Sequence, residues 1–289
     1  MDLEREGQAL DEVQKTQDEA QHPPSEPKPS TSTRTQKFHG LHTHLTTEIS
    51  TSNATPIMLT CCLISGLVDS SIYNAYGTFV SMQTGNTIFL GLGGATSVYQ
   101  PPSPKPYAWA KSLTSIACFC LGCFFFSHFS RWMGPLKRGT LAASFALQSL
   151  LVLVAAVVVQ TGVVDGNLGR IPSDVQWRSE IPIAVLSFQS AGQIIGSRTL
   201  NLAEIPSVVL TSMLCDLASD PNLVGPLKSN IKRNRRVMAF LGILVGAVVG
   251  GFISEGTGKV GVVLWIAFGL KVLISVAWLV WPAKKPSVI

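Results

Sequence analysis

The chain has 289 residues, 46% of them hydrophobic and only 13% charged, with a formal net charge of +5. That balance, with charge gathered at the ends and in two loops, excludes a soluble globular domain and points to an all-α polytopic membrane protein. The basic excess then reads as topology anchoring at anionic lipid and not as nucleic-acid binding.

Residues 1–55 carry five Lys/Arg against nine Asp/Glu and a run rich in Pro, Ser and Thr from His22 to Thr35. So little apolar surface cannot offset the entropy of ordering, which predicts a disordered cytoplasmic tail. It lacks the apolar core of a secretory signal, so the first membrane helix must direct insertion. From Pro56 to Ala95 the chain is apolar for about twice the length that one crossing of a roughly 30 Å hydrocarbon core needs. Asp69 and Gln83-Thr84-Gly85-Asn86 interrupt this stretch. It is too long for one crossing and too polar for two, which predicts a crossing helix followed by a broken or re-entrant piece. A Pro-rich loop from Ser97 to Tyr107 ends it.

Further spans are predicted over Tyr107–Phe129, Thr140–Val164, Ile181–Leu202, Val237–Ser254 and Val260–Trp281, giving about six transmembrane helices. A second short segment, Ser207–Ser219, follows the fourth span. Placing both termini in the cytoplasm puts 15 of the 22 Lys/Arg inside, as retention of positive charge requires. The sequon Asn53-Ala54-Thr55 then stays bare, and plasma membrane and endomembrane remain equal choices. The body spans 56–282 in two three-span halves, 56–165 and 178–282, followed by a cytoplasmic tail at 283–289. Val80–Leu90 of the first half lies over Ser207–Leu217 of the second. Three crossings per half make an inverted repeat, and paired interrupted segments in matching positions point to a substrate site at the midplane.

Gly66-Leu67-Val68-Asp69, the aromatic and small stretch to Phe79, and Thr84-Gly85-Asn86 leading into an apolar run resemble the YoaK family, classed as domain of unknown function 1275. The resemblance covers about Thr55 to Trp281. It implies a membrane fold of about six spans and no established activity. The positions that match its pattern are Gly66, Asp69, Thr84, Gly85 and Asn86; the second half departs from it by reading Thr211-Ser212-Met213.

Asp69 is the sharpest candidate for chemistry, because a lone carboxylate in hydrocarbon must pair, neutralise or face water. A proton or cation relay and a structural pair both satisfy that demand. Thr84, Gly85 and Asn86 have the chemistry of a helix start aimed at a polar solute, or of a close packing site. Lys271, deep in the last span, is expected to take a carboxylate partner, Asp69 or Asp216. Arg198 and Glu204 are expected to pair structurally. Gln148, Gln189 and Gln193 could line a cavity or bond between helices, and Gln193 joins the candidate site. Gly66 and the Gly242, Gly246, Gly250 face are assigned to helix packing. Six cysteines in apolar runs, with no HExxH or GxSxG, give no metal, cofactor or enzyme. The leading expectation is a secondary transporter or channel-like carrier, with Asp69, the Thr84–Asn86 segment and Lys271 around a central cavity. The alternative is a membrane scaffold or regulator. Expected partners are the bilayer, a small polar solute or ion, and further copies of the chain.

Overall fold

The computed structural model describes residues 40, 42–99, 107–168 and 176–284. The disorder expected of residues 1–39 and the Pro-rich stretch 100–106 lie outside the described residues. The chain divides into two units, 1–43 and 44–289, and all the helices named below belong to the second.

Among the described residues from 55 onward, eight α-helices build this unit: α1 (Thr55–Tyr76), α2 (Gln83–Tyr99), α3 (Ala108–Met133), α4 (Arg138–Gln160), α5 (Glu180–Thr199), α6 (Leu210–Ala218), α7 (Ile231–Thr257) and α8 (Gly261–Leu279). Pro56 starts α1, where a missing N–H costs nothing. Gly77 ends it at φ 72°, a left-handed conformation open to a residue without Cβ, and its N–H closes onto Tyr73 O. Among the described residues five helices, α1, α3, α4, α7 and α8, are long and apolar enough to cross a membrane. α5 is equally long but diluted by Ser187, Gln189, Ser190, Gln193 and Ser197. The molecule is an all-α polytopic membrane protein.

Isolated antiparallel bridges fix the ends of the bundle. Glu48 pairs with Lys137 and Ile49 with Ala283, which brings the starts of α1 and α4 and the end of α8 to one face. Asn167 pairs with Lys259 on the other, at the end of α4 and the start of α8. The six long helices therefore alternate in direction between a face at Thr55 and a face at Tyr76.

The expected tail boundary at 55 is corrected by these contacts. Ile49 and Ala54 are buried, and residues 47–50 exchange backbone hydrogen bonds with Leu136, Arg138, Pro282 and Lys284. Arg138 donates to Trp281 O and reaches His44. Each segment supplies the backbone partners that the others lack, so order begins before the first long helix and runs into the expected C-terminal tail.

Helix packing repeats when the first four helices are exchanged for the last four. α1 packs on α7, as its counterpart α5 packs on α3. α4 packs on its own counterpart α8, α2 lies on α3 as α6 lies on α7, and α1 meets α8 as α5 meets α4. Because each half contributes three long helices, an odd number, the exchange turns the bundle over.

Glycines make the closest of these approaches possible. A Cβ added at Gly66 would overlap Ile243 O of α7, and one at Gly246 would overlap Leu63 O of α1. At Gly250 it would lie 2.5 Å from Leu67 O and Ser70 Oγ; at Gly242 the nearest atom is an unexceptional 3.4 Å away. The counterpart contact has Gly122 of α3 against Phe188 O of α5, at 2.5 Å. Small residues let helix backbones approach where lipid offers no hydrophobic drive. Gly66→Ala and Gly246→Ala should each lower the melting temperature in detergent, at an overpacking cost of about 1–3 kcal/mol. Gly242→Ala should leave it close to wild type.

Candidate functional site

Between α1 and α2 the chain folds back along α1 as an irregular segment, residues 77–82. Asp69, buried two turns before the end of α1, holds it there. Its Oδ1 accepts from the N–H of Val80 at 2.7 Å and of Ser81 at 3.0 Å, and its Oδ2 accepts from Ser81 Oγ. Three donors, not a cation, meet the carboxylate, and the backbone groups freed by the break find an acceptor.

Asn86 does the same work from the α2 side. Its Oδ1 accepts from Thr78 Oγ1 at 2.8 Å and Phe79 N at 3.0 Å. Its Nδ2 lies within hydrogen-bonding distance of Phe79 O, Gln83 Oε1 and Ser115 Oγ. An amide suits this place because it both donates and accepts. Gly85 makes room for the Phe79 ring, whose Cε2 would lie 2.9 Å from an added Cβ. That ring stacks on Tyr73 and Phe89, with centroids 4.8 and 5.9 Å away. Thr84, expected in the site, is exposed and turned from these contacts.

α5 closes the arrangement. Ser187 Oγ lies 2.8 Å from Ser115 Oγ, and Ser190 Oγ donates to Val80 O at 2.9 Å. Gln193 Nε2 reaches Ser65 Oγ at 2.9 Å and Ser207 Oγ at 3.4 Å, which ties α1 to a second break, residues 200–209, between α5 and α6. Ser197 Oγ donates to Leu202 O and Ile205 O, so this break folds back along α5 as the first folds back along α1. Gln189 and Gln193 are 3% and 1% exposed, and the Oε1 of each has no hydrogen-bond partner among the described residues. The hydroxyls of Ser115, Ser187, Ser190 and Ser207 were not anticipated from sequence. Ser187, Ser190, Gln193 and Ser197 recur at helical spacing along one face of α5, which was the available signal.

Lys271 does not join this cluster. The expected carboxylate partner is replaced by Gln148, whose Oε1 accepts from Nζ at 2.6 Å, with the Phe145 ring 5.4 Å from the ammonium. Asp69 is already committed to the first break, and Asp216 sits 3.5 Å from Arg236. A buried ammonium that cannot reach a carboxylate is solvated by an amide dipole and a ring face. Glu204 pairs structurally, with Arg235 at 2.5 Å, whereas Arg198 makes no ion pair among the described residues. Three cavities lie near the ends of the bundle. One of about 440 Å³ is lined by Asp165, Asn167 and Lys259, and one of about 430 Å³ by Trp177 and Arg178. A third, of about 150 Å³, lies beside the second break, lined by Arg198, Pro206 and Val209. Asp69, Thr84, Gly85, Asn86, Gln193 and Lys271 line none of these three.

Loss of the Asp69 acceptor should free the first break. In Asp69→Leu, amide hydrogen exchange at Val80 and Ser81 should accelerate at least about tenfold, the equivalent of one hydrogen bond to a charged group. Asp69→Asn keeps one acceptor oxygen and should show a smaller rise. Unchanged exchange in the folded leucine variant would remove Asp69 from this role.

No curated protein and no solved structure matches the chain. The family described as "Protein of unknown function (DUF1275)" matches residues 57–277, from the first turn of α1 to the last turn of α8 and through both breaks. The chain belongs to that family of membrane proteins.

Proposed function

We propose that the protein is a secondary transporter or channel-like carrier of a small polar solute, with the two breaks as its gating elements. One observation carries this reading: two interrupted segments occupy matching places in the two halves and fold back from opposite faces. Broken helices in an inverted repeat supply polar backbone at membrane depth, and exchange of the two arrangements gives alternating access. The task is binding and release, for which no catalytic group or cofactor is required.

In this reading all six long helices cross the membrane. The Thr55 face, with Lys137, Lys228–Arg236 and Lys284, is cytoplasmic. The two ends of the pathway then differ. On the outer side the Tyr73, Phe79 and Phe89 rings close over the first break. On the cytoplasmic side the 150 Å³ cleft opens beside the second. In this reading the alternate state parts the rings and closes the cleft, while the two larger cavities at the outer face, lined by no residue of either break, lie outside the pathway.

The reading is tested without knowing the solute, by thiol labelling in a background with the six free cysteines replaced. Val209→Cys should react from the cytoplasmic side and Val80→Cys only weakly from the outer side. Phe79→Ala loosens the ring stack, so it should raise outer labelling of Val80→Cys and lower labelling of Val209→Cys in the same molecules. A shift of about tenfold each way is about a hundredfold change in the ratio of the two states, about 2.8 kcal/mol. Changes at one site without the reciprocal change at the other would favour a static membrane scaffold.

A further inference from the structure

Lys271 lies at the middle of α8, fully buried, and neither break uses it. α8 packs on α4, α1 and α7. From α4 the ammonium meets Gln148 Oε1 and the Phe145 ring, and from α1 the Cys61 thiol lies within electrostatic range. α4 carries no ionisable side chain beyond Arg138 at its start, and α7 none between Arg236 and Glu255. Besides its cysteines and tyrosines, α1 offers Asp69, which Val80 and Ser81 engage. Charge at Nζ is therefore matched by no carboxylate. Gln148 Oε1 accepts from an ammonium and from an amine alike, so the site serves Nζ with its third proton or without it.

Polar groups lead from Lys271 toward one end of the bundle. On α4, Gln148, Ser144 and Thr140 recur every four residues and so share a face, and Gln148 Nε2 donates to Ser144 Oγ at 3.4 Å. On α8, Ser275 lies one turn from Lys271 and donates to Ala142 O at 2.9 Å; Trp278 lies a turn further. Thr140 Oγ1 and Trp278 Nε1 are buried and meet no partner among the described residues. Both sit at the Thr55 face, where Arg138 donates to Trp281 O. Toward the Tyr76 face the same two helix faces continue as Val152 and Ala156 of α4 and Ala267 and Leu264 of α8, all buried and apolar. Buried polar groups without a protein partner suit water. A proton thus has a route to Nζ from the Thr55 face, while apolar side chains bar the other.

The amide that holds Lys271 also touches the helix that holds the second break. A Cβ added at Gly192 of α5 would lie 2.7 Å from Gln148 Nε2, so the Gln148 side chain seats in the notch that this glycine leaves. The next residue, Gln193, lies 3.4 Å from Ser207 Oγ of the break, and Ser197 donates to Leu202 O and Ile205 O. A hydrogen bond from an ammonium is about twice as strong as one from an amine, so the proton on Nζ decides how firmly Gln148 stays in that notch.

We propose that Lys271 Nζ is a proton-binding site open to the Thr55 face, and that its proton is the ion coupled to movement of the second break. With the proton, Lys271 grips Gln148, and α5 keeps the place described above. When the proton passes from Nζ to water on that side, the grip weakens and α5 is free to carry the break to its other arrangement. The coupling rests on the carrier reading; the proton site does not.

The site is tested by carbon-13 NMR of the purified full chain labelled at its lysine ε carbons. One resonance, absent from Lys271→Met, should shift with pH as the amine gains and loses its proton. A Lys271 resonance that stays at the ammonium position wherever the chain is folded would overturn the site. In the cysteine-free background Ser144→Cys should react with a small water-soluble thiol reagent from the Thr55 face and Val152→Cys from neither; an inert Ser144→Cys would overturn the route. Coupling is read from the labelling of Val209→Cys relative to Val80→Cys, each corrected for the same thiol in unfolded chain at that pH. The ratio should fall about tenfold as pH rises, stay high in Lys271→Arg, and stay low in Lys271→Met and in Lys271→Gln. An undiminished pH dependence in the methionine or glutamine variant would overturn the coupling. Reciprocal labelling that ignores pH would keep the carrier and reject the coupling. A titrating Lys271 without reciprocal labelling would keep the proton site and reject the carrier.

Discussion

The fold depends on what happens to peptide groups where a helix stops inside an apolar bundle. Asp69 supplies the answer in the first half: one carboxylate gathers two backbone N–H groups and a hydroxyl and so fixes the path from α1 to α2. Asn86, Ser115 and Ser190 hold what the carboxylate does not. Without such partners the break would leave several polar groups unsatisfied, each costly in a medium that offers no water. The chain therefore places a charge where a membrane helix ordinarily has none, and the charge serves the backbone directly.

The same chemistry explains why this part of the molecule was legible in the sequence. An acid and a Gln-Thr-Gly-Asn run stand out in apolar surroundings because each is expensive there, and an expense of that kind marks a broken element. Spans announced by length and hydropathy correspond to the long helices, with α5 recognisable despite its serines. Partner choice was not legible. Lys271 was expected to seek an acid, yet the one within the neighbouring α1 was already engaged, and Gln148 came closer. Nothing in a linear pattern records which of several buried polar groups is free. Thr84 was placed with Asn86 by motif, although two steps along a helix turn a side chain by about 200° and send the two apart. The order of residues 47–54 was also hidden, because it comes from backbone pairing with segments far along the chain.

The exchange of halves gives the Lys271 pair a particular place. α4 and α8 are counterparts that pack on each other, and Gln148 and Lys271 meet between them. The contact joins two equivalent positions across the axis of the repeat. An amide and an ammonium there are complementary, as two lysines could not be, so the halves have diverged where identity would repel.

The glycine seams bear on how such a chain is made. The tightest contact of α1 is with α7: Gly66 seats on Ile243, and Ser71 donates to Gly250 O across 179 residues of sequence. α3 and α5 form the matching seam, also between halves. Neither half therefore contains its own closest pair, and the two are interlaced, not docked. During synthesis the first three long helices enter the bilayer with a groove of small residues along α1 that stays open until α7 emerges. Assembly is thus decided late, and a ribosome that stops after the first half leaves a membrane-inserted intermediate whose best-fitting surface faces lipid.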